Sequence, residues 1–194
     1  MRSSKVERKT LETNISLSLN VDGVGKSDIK TGIGFFDHML NLFSKHGMFD
    51  LDIKCDGDLY VDGHHTVEDI AITLGKTLKK ALKDKSQIKR YSSVYTPMDE
   101  CLSFVSLDIS GRPYLSFDID FQREKVGEFD TELVEEFFRA FINNSGITLH
   151  IKMIEAGNTH HMIESIFKGF ARALDEATLI DKRIDGVMST KGVL

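Results

Sequence analysis

The sequence predicts an α/β (α+β) fold built by internal duplication of a ββαβα half, with sheets packed against helices. Three observations predict it. Short runs alternate apolar and polar residues, the period of a half-buried strand. Four longer segments carry apolar residues at helical spacing. The order of these elements then repeats after a short charged linker, Lys83–Gln87, so that one domain spans 1–194 with repeats of about 1–85 and 86–194.

In the first half Thr13, Ile15, Leu17, Leu19 and Val21 alternate with Asn14, Ser16, Ser18 and Asn20, and Glu12 extends the polar face. Gly23 and Gly25 mark a turn, and a short strand is predicted around Ile29. Phe35, Phe36, Met39, Leu40 and Phe43 form the apolar stripe of a helix. Phe49, Leu51, Ile53 and Cys55 alternate again, and a second helix follows Gly63 with Val67, Ile70, Ala71, Leu74 and Leu78 inward. In the second half strands are predicted at 91–108 and 113–121, about a Gly111-Arg112-Pro113 turn. A helix with Leu133, Val134, Phe137, Phe138 and Phe141 comes next, then a strand at 147–154. The last helix carries Ile163, Ile166, Phe167, Phe170 and Leu174, and the tail from Asp181 to Leu194 reads as a loop. The first helix recurs at every apolar position 98 residues on, and the second 96 residues on, which coincidence does not explain.

Composition narrows the function. Of 194 residues, 41% are hydrophobic and 28% charged, which suits a packed core and excludes disorder as the main state. A net charge of −5 speaks against a broad nucleic-acid surface. No apolar run is long enough to span a membrane, and MRSSKVERKT lacks the apolar middle of a secretory signal. Cys55 and Cys101 are isolated, so a cytoplasmic protein with reduced thiols is expected.

Both later helices open with the same unit, HHTVED at 64–69 and HHMIES at 160–165. His64 and Glu68, like His160 and Glu164, lie four apart on one helical face and can share an ion. Their neighbours His65 and His161 point about 100° away and suit a second ion. In the earlier helices His38 aligns with Glu136 at the 98-residue offset. Counted by repeat, the candidates are His38, His64, His65 and Glu68, then Glu136, His160, His161 and Glu164. Imidazoles and carboxylates without thiolate suit a borderline divalent ion, with octahedral manganese favoured over a closed structural zinc site. Arg90, Arg112 and Lys191 are solvated charges taken singly and a phosphate clamp taken together. His46 reads either as a helix-end cap or as a substrate contact, and His150 as structural. Gly32 and Gly34 do not make a dinucleotide fingerprint.

With these residues assembled, the chain resembles the imidazoleglycerol-phosphate dehydratase family over nearly its whole length. The resemblance rests on ETNISLSLNVDG (12–23), TGIGFFDHML (31–40), HGMFDL (46–51), DGHHTVEDIAITLG (62–75), LDISGRPY (107–114), TLHIK (148–152), NTHHMIESIFKGFARAL (158–174) and STKGVL (189–194). It implies a ribosomal protein S5 domain 2-like arrangement. It also implies a hydro-lyase of histidine biosynthesis that dehydrates imidazole glycerol phosphate to imidazole acetol phosphate. Two Mn2+ per active site and a homo-oligomer of 24 chains, with sites at subunit interfaces, are further implications of the resemblance. The family's metal ligands match His38, His64, His65, Glu68, His160, His161 and Glu164; at the remaining ligand position many members have His where this chain has Glu136. Its phosphate-binding positions match Arg90, Arg112, Ser189 and Lys191, and its acid/base glutamate matches Glu12. From the residues alone, a dinuclear metallohydrolase and a metal-organised structural assembly also fit the histidine–carboxylate pattern.

Overall fold

The computed structural model describes residues 1–194 as two halves of one plan. The first runs β1 (Ser3–Lys9), β2 (Thr13–Asn20), β3 (Ser27–Lys30), α1 (Gly34–His46), β4 (Asp50–Gly57) and α2 (His64–Leu82). The second runs β5 (Tyr91–Met98), β6 (Cys101–Asp108), β7 (Tyr114–Asp118), a small hairpin of β8 (Lys125–Val126) and β9 (Phe129–Asp130), α3 (Glu132–Ser145), β10 (Thr148–Glu155) and α4 (Thr159–Thr178). The four-stranded sheets have matching orders, β1-β2-β4-β3 and β5-β6-β10-β7, each antiparallel except for its last pair.

Apart from the β8–β9 hairpin, which the pattern did not show, each half is therefore βββαβα rather than the ββαβα expected. The missed element is β1, an edge strand paired to β2 from Ser3↔Asn20 to Lys9↔Asn14. Its inner face holds Ser4, Val6 and Arg8, so apolar alternation never shows. Arg8 is tolerated there because its guanidinium reaches the buried Asp69 of α2 at 2.6 Å. The predicted strand over 91–108 is likewise a hairpin, turned at Asp99 in the left-handed region (φ 48°) without a glycine to announce it.

Helices α2 and α4 cover their own sheets, and the halves meet helix to helix, α2 against α3 and α1 against α4. The helices form the middle of the molecule, held by phenylalanines. Phe36 of α1 meets Phe137 of α3 at 5.6 Å between ring centres, and Phe137 meets Phe167 of α4 at 5.2 Å. Gly75 permits the closest approach: a Cβ there would lie 2.5 Å from the Phe141 carbonyl oxygen of α3. No helix is long and apolar enough to cross a membrane.

Candidate metal centre

The packing of α1 on α4 brings His38 to the start of the second HHxxE helix. His38 Nε2 lies 2.7 Å from Glu164 Oε1, and His160 Nε2 lies 3.2 Å from the same oxygen. The side-chain oxygen of Asn158, the N-cap, accepts the His160 N–H at 2.9 Å and sets where α4 begins; ahead of α2, whose N-cap is Gly63, Asp62 Oδ1 accepts the His64 N–H at 2.8 Å. Burial pushes the Glu164 carboxyl up, but hydrogen bonds from Lys168, His38 and His160 outweigh it and hold the group at about 2. Lys168, one turn on, places Nζ 2.6 Å from Oε2 and leaves Oε1 to the two imidazoles.

The donor chemistry of this cluster fits a divalent ion. The three donor atoms of His38, His160 and Glu164 all lie within 4.8 Å of one another. Counting by repeat puts His38 with His64, His65 and Glu68; the fold instead joins it to residues 122 and 126 positions away, because the halves exchange helices. Glu136 lies on α3, the helix that packs on α2, whereas His38 lies on α1, which packs on α4. Within one chain His64, Glu68 and Glu136 are not drawn as close as the His38 set.

The second histidine of each unit turns away, as helical geometry requires. His64 and His65 rings stand at 86° to each other, and His160 and His161 at 80°. His65 Nδ1 contacts Asp58 Oδ2 at 3.0 Å, while Glu12 Oε1 stands 3.7 Å from Nε2 of the same ring. His161 Nδ1 contacts Glu100 Oε2 at 2.9 Å. The hydrogen bonds to Asp58 and to Glu100 raise the two imidazole pKa values. The Asn158 N–H, and then His161, hold the Glu100 carboxyl down at about 2.

The predicted phosphate residues gather at one end of the second sheet. Arg90, held at φ 80°, forks onto Asp108 at 2.7 and 3.0 Å and donates to the Met188 carbonyl at 2.8 Å, tying down the C-terminal tail. That tail carries Ser189 and the exposed Lys191, and it ends with Leu194 against Gly111, beside Arg112. His46 closes α1. Burial, then the charges of Lys168 and Arg172, lower its pKa, so the neutral ring is favoured; the Gly47 N–H, not His46, caps the helix by donating to the Phe43 carbonyl. His150 stays on the outer sheet face beside Tyr114, 5.5 Å between rings.

Sequence reasoning missed Asp58, Glu100 and Lys168. Lys168 was open to detection as the i+4 neighbour of Glu164 on the same helical face. Asp58 and Glu100 come from loops, where no period marks them.

Fold and site together define a class: duplicated α+β chains in which two HHxxE helix starts present imidazole and carboxylate donors at the junction of the halves. The family model for imidazoleglycerol-phosphate dehydratase matches residues 31–174. A relative from Acetivibrio thermocellus with that name is 62% identical over 193 residues, covering 100% of this chain and 99% of its own. Another from Caldanaerobacter subterraneus is 61% identical over 194 residues, with 100% of both chains covered. The crystal structure of the Staphylococcus aureus enzyme superposes with a TM-score of 0.84 at 47% identity, covering 92% of this chain and 99% of that one. The Pyrococcus furiosus structure, a complex with (S)-C348, gives 0.84 at 38% identity, covering 97% and 100%. The chain belongs to the imidazoleglycerol-phosphate dehydratase family and is a hydro-lyase.

Proposed function

We propose that the chain removes water from imidazole glycerol phosphate to give imidazole acetol phosphate in histidine biosynthesis, using two Mn2+ per active site. The observation that carries the metal reading is the convergence of His38, His160 and Glu164 from two helices onto one point. His38, His64, His65, Glu68, Glu136, His160, His161 and Glu164 are the residues to hold the ions. Bound there, divalent ions supply a fixed, electron-withdrawing seat for the substrate imidazole.

The remaining chemistry belongs to side chains. A hydroxyl leaves one side-chain carbon and a proton leaves its neighbour; the C–H electron pair becomes the double bond of an enol, which reverts to the ketone. Glu12 takes and returns the proton. Its carboxylate faces Nε2 of His65, on the side from which Asp58 is absent, and it is exposed enough to meet a substrate. Neutral His46 is a second group near the cluster able to accept a proton or a hydrogen bond. Arg90, Arg112, Ser189 and Lys191 grip the phosphate and fix the pose.

Within one chain the phosphate residues do not meet the second HHxxE unit. Arg90 and Asp108 lie at one end of the β5–β6 hairpin, and His161 and Glu100 at the other. Eight-residue strands at about 3.3 Å per residue separate the ends by about 25 Å. A substrate of a few bonds does not bridge that span, so the site is completed by a neighbouring copy, in keeping with a 24-chain assembly.

One experiment tests the whole reading. Water loss from imidazole glycerol phosphate is expected with Mn2+ and is expected to stop after EDTA treatment. In the same samples the large particle should fall to smaller, still folded oligomers, because carboxylates at the interface repel once the ions leave. Activity that survives chelation rejects the metal role. A particle of unchanged size rejects the role of the ions in holding the assembly together.

Glu136 has its own test. Glu136→His is expected to be tolerated, whereas Glu136→Ala should weaken Mn2+ binding by at least about 10-fold, the lower bound for a supporting residue. Calorimetric titration of the alanine variant with normal affinity makes Glu136 a bystander.

A further inference from the structure

We propose that Asp58 and Glu100 are positioning residues of the metal centre. Each accepts the Nδ1–H of the second histidine in an HHxxE unit and so presents that ring's Nε2 lone pair outward to an ion. The proposal rests on the reading that His65 and His161 ligate metal. An ionised carboxylate only accepts, so the nitrogen it touches carries the proton. The contacts of 3.0 Å from His65 Nδ1 to Asp58 and 2.9 Å from His161 Nδ1 to Glu100 therefore put the proton on Nδ1 in both rings. A neutral imidazole protonated there has its lone pair on Nε2, and the carboxylate behind it makes that lone pair more basic.

Two further features indicate that these contacts are built for a purpose. Asp58 lies between β4 and α2, whereas Glu100 lies in the β5–β6 turn, so the matching contacts are not relics of the duplication. The Asp58 carboxylate is only 12% exposed, and its Oδ1 is buried without any partner. A carboxylate half unsatisfied in the interior is a standing cost, offset here by what Oδ2 does for His65. Glu100 is held by the Asn158 N–H, which donates to Oε1 at 2.6 Å, and by Gly157, where a Cβ would lie 2.4 Å from Glu100 Cγ. Asp99, 3.9 Å from the same His161 nitrogen, adds negative charge behind the ring.

The two carboxylates respond differently to amide replacement. In Glu100→Gln the Asn158 N–H keeps the side-chain oxygen, so the amide NH2 faces His161 Nδ1 and forces the proton to Nε2. In Asp58→Asn nothing holds the other oxygen, so the amide turns and still offers oxygen to His65. The test uses full-length, metal-free protein labelled with 15N-histidine, followed by Mn2+ titration. Wild type should show His65 and His161 in the Nδ1–H form. Glu100→Gln should move His161 to the Nε2–H form and weaken one of the two Mn2+ ions about 10–100-fold, with Asp58→Asn clearly milder. Gly157→Ala, which leaves every ligand and carboxylate chemically intact, should also weaken Mn2+ by displacing Glu100. All three should unfold in EDTA at the wild-type midpoint. Wild-type rings in the Nε2–H form, or Glu100→Gln with unchanged tautomer and affinity, overturn the proposal. Wild-type protein that takes up no Mn2+ overturns the metal reading instead.

Discussion

Glu12→Gln is expected to keep both ions and bind substrate, yet turn over at least about 10²-fold more slowly, the lower end of acid–base contributions. The amide keeps the size and hydrogen-bonding ability of the carboxylate and removes only its titration. Glu12 sits in the turn between β1 and β2, its N–H held by the Thr10 hydroxyl at 3.1 Å and its carbonyl by the Asp58 N–H at 3.1 Å. The backbone is thus fixed while the carboxylate stays half exposed, 3.7 Å from His65 Nε2. Metal ligands hold a ring in place, but a carbon-bound proton needs a base within reach. Steady-state rates read beside Mn2+ titration separate the two effects. Near-normal turnover transfers proton movement to another group, with His46 next in line; lost Mn2+ makes Glu12 a ligand.

The largest effect on stability should come from Phe170→Ala, with a loss of about 3–5 kcal/mol. Phe170 is fully buried in α4. Its ring centre lies 5.5 Å from Phe43 of α1 and 5.2 Å from both Phe138 and Phe141 of α3. Removing it opens a cavity where three helices from both halves meet, in a layer too densely packed to collapse into it. Against a usual total of about 5–15 kcal/mol this is a large share. For a chain of this size the unfolding midpoint should fall by roughly 10 °C. Urea unfolding of chelated protein at one fixed concentration removes the contributions of metal and assembly. A loss below about 1 kcal/mol means that the aromatic layer does not join the halves.

Several features were legible because they repeat within a few residues. All four helices lie where the 3.6-residue stripe puts them; Phe36, Met39, Leu40 and Phe43 are buried, as are Leu133, Val134, Phe137 and Phe138. Strand β2 alternates buried and open residues as read. The HHxxE units open α2 and α4, and the splaying of each histidine pair follows from helical geometry alone. Strand β1 stayed hidden because Arg8 satisfies its charge on Asp69, a residue 61 positions away. The β5–β6 turn stayed hidden because Asp99 adopts a glycine-like conformation.

The sequence by itself determined the four helices, the duplication and the donor types, since periodicity and side-chain chemistry are local properties. Only the tertiary structure decided which donors meet. His38 reaches Glu164 across 126 residues because α1 packs on α4 rather than on its own repeat partner, and burial of phenylalanine faces drives that exchange. Within each half, the packing of α4 on the β5–β6 hairpin brings Glu100 behind His161, and the loop leading into α2 brings Asp58 behind His65. A residue's chemistry is written in its side chain, but its partner is chosen by how apolar surfaces close.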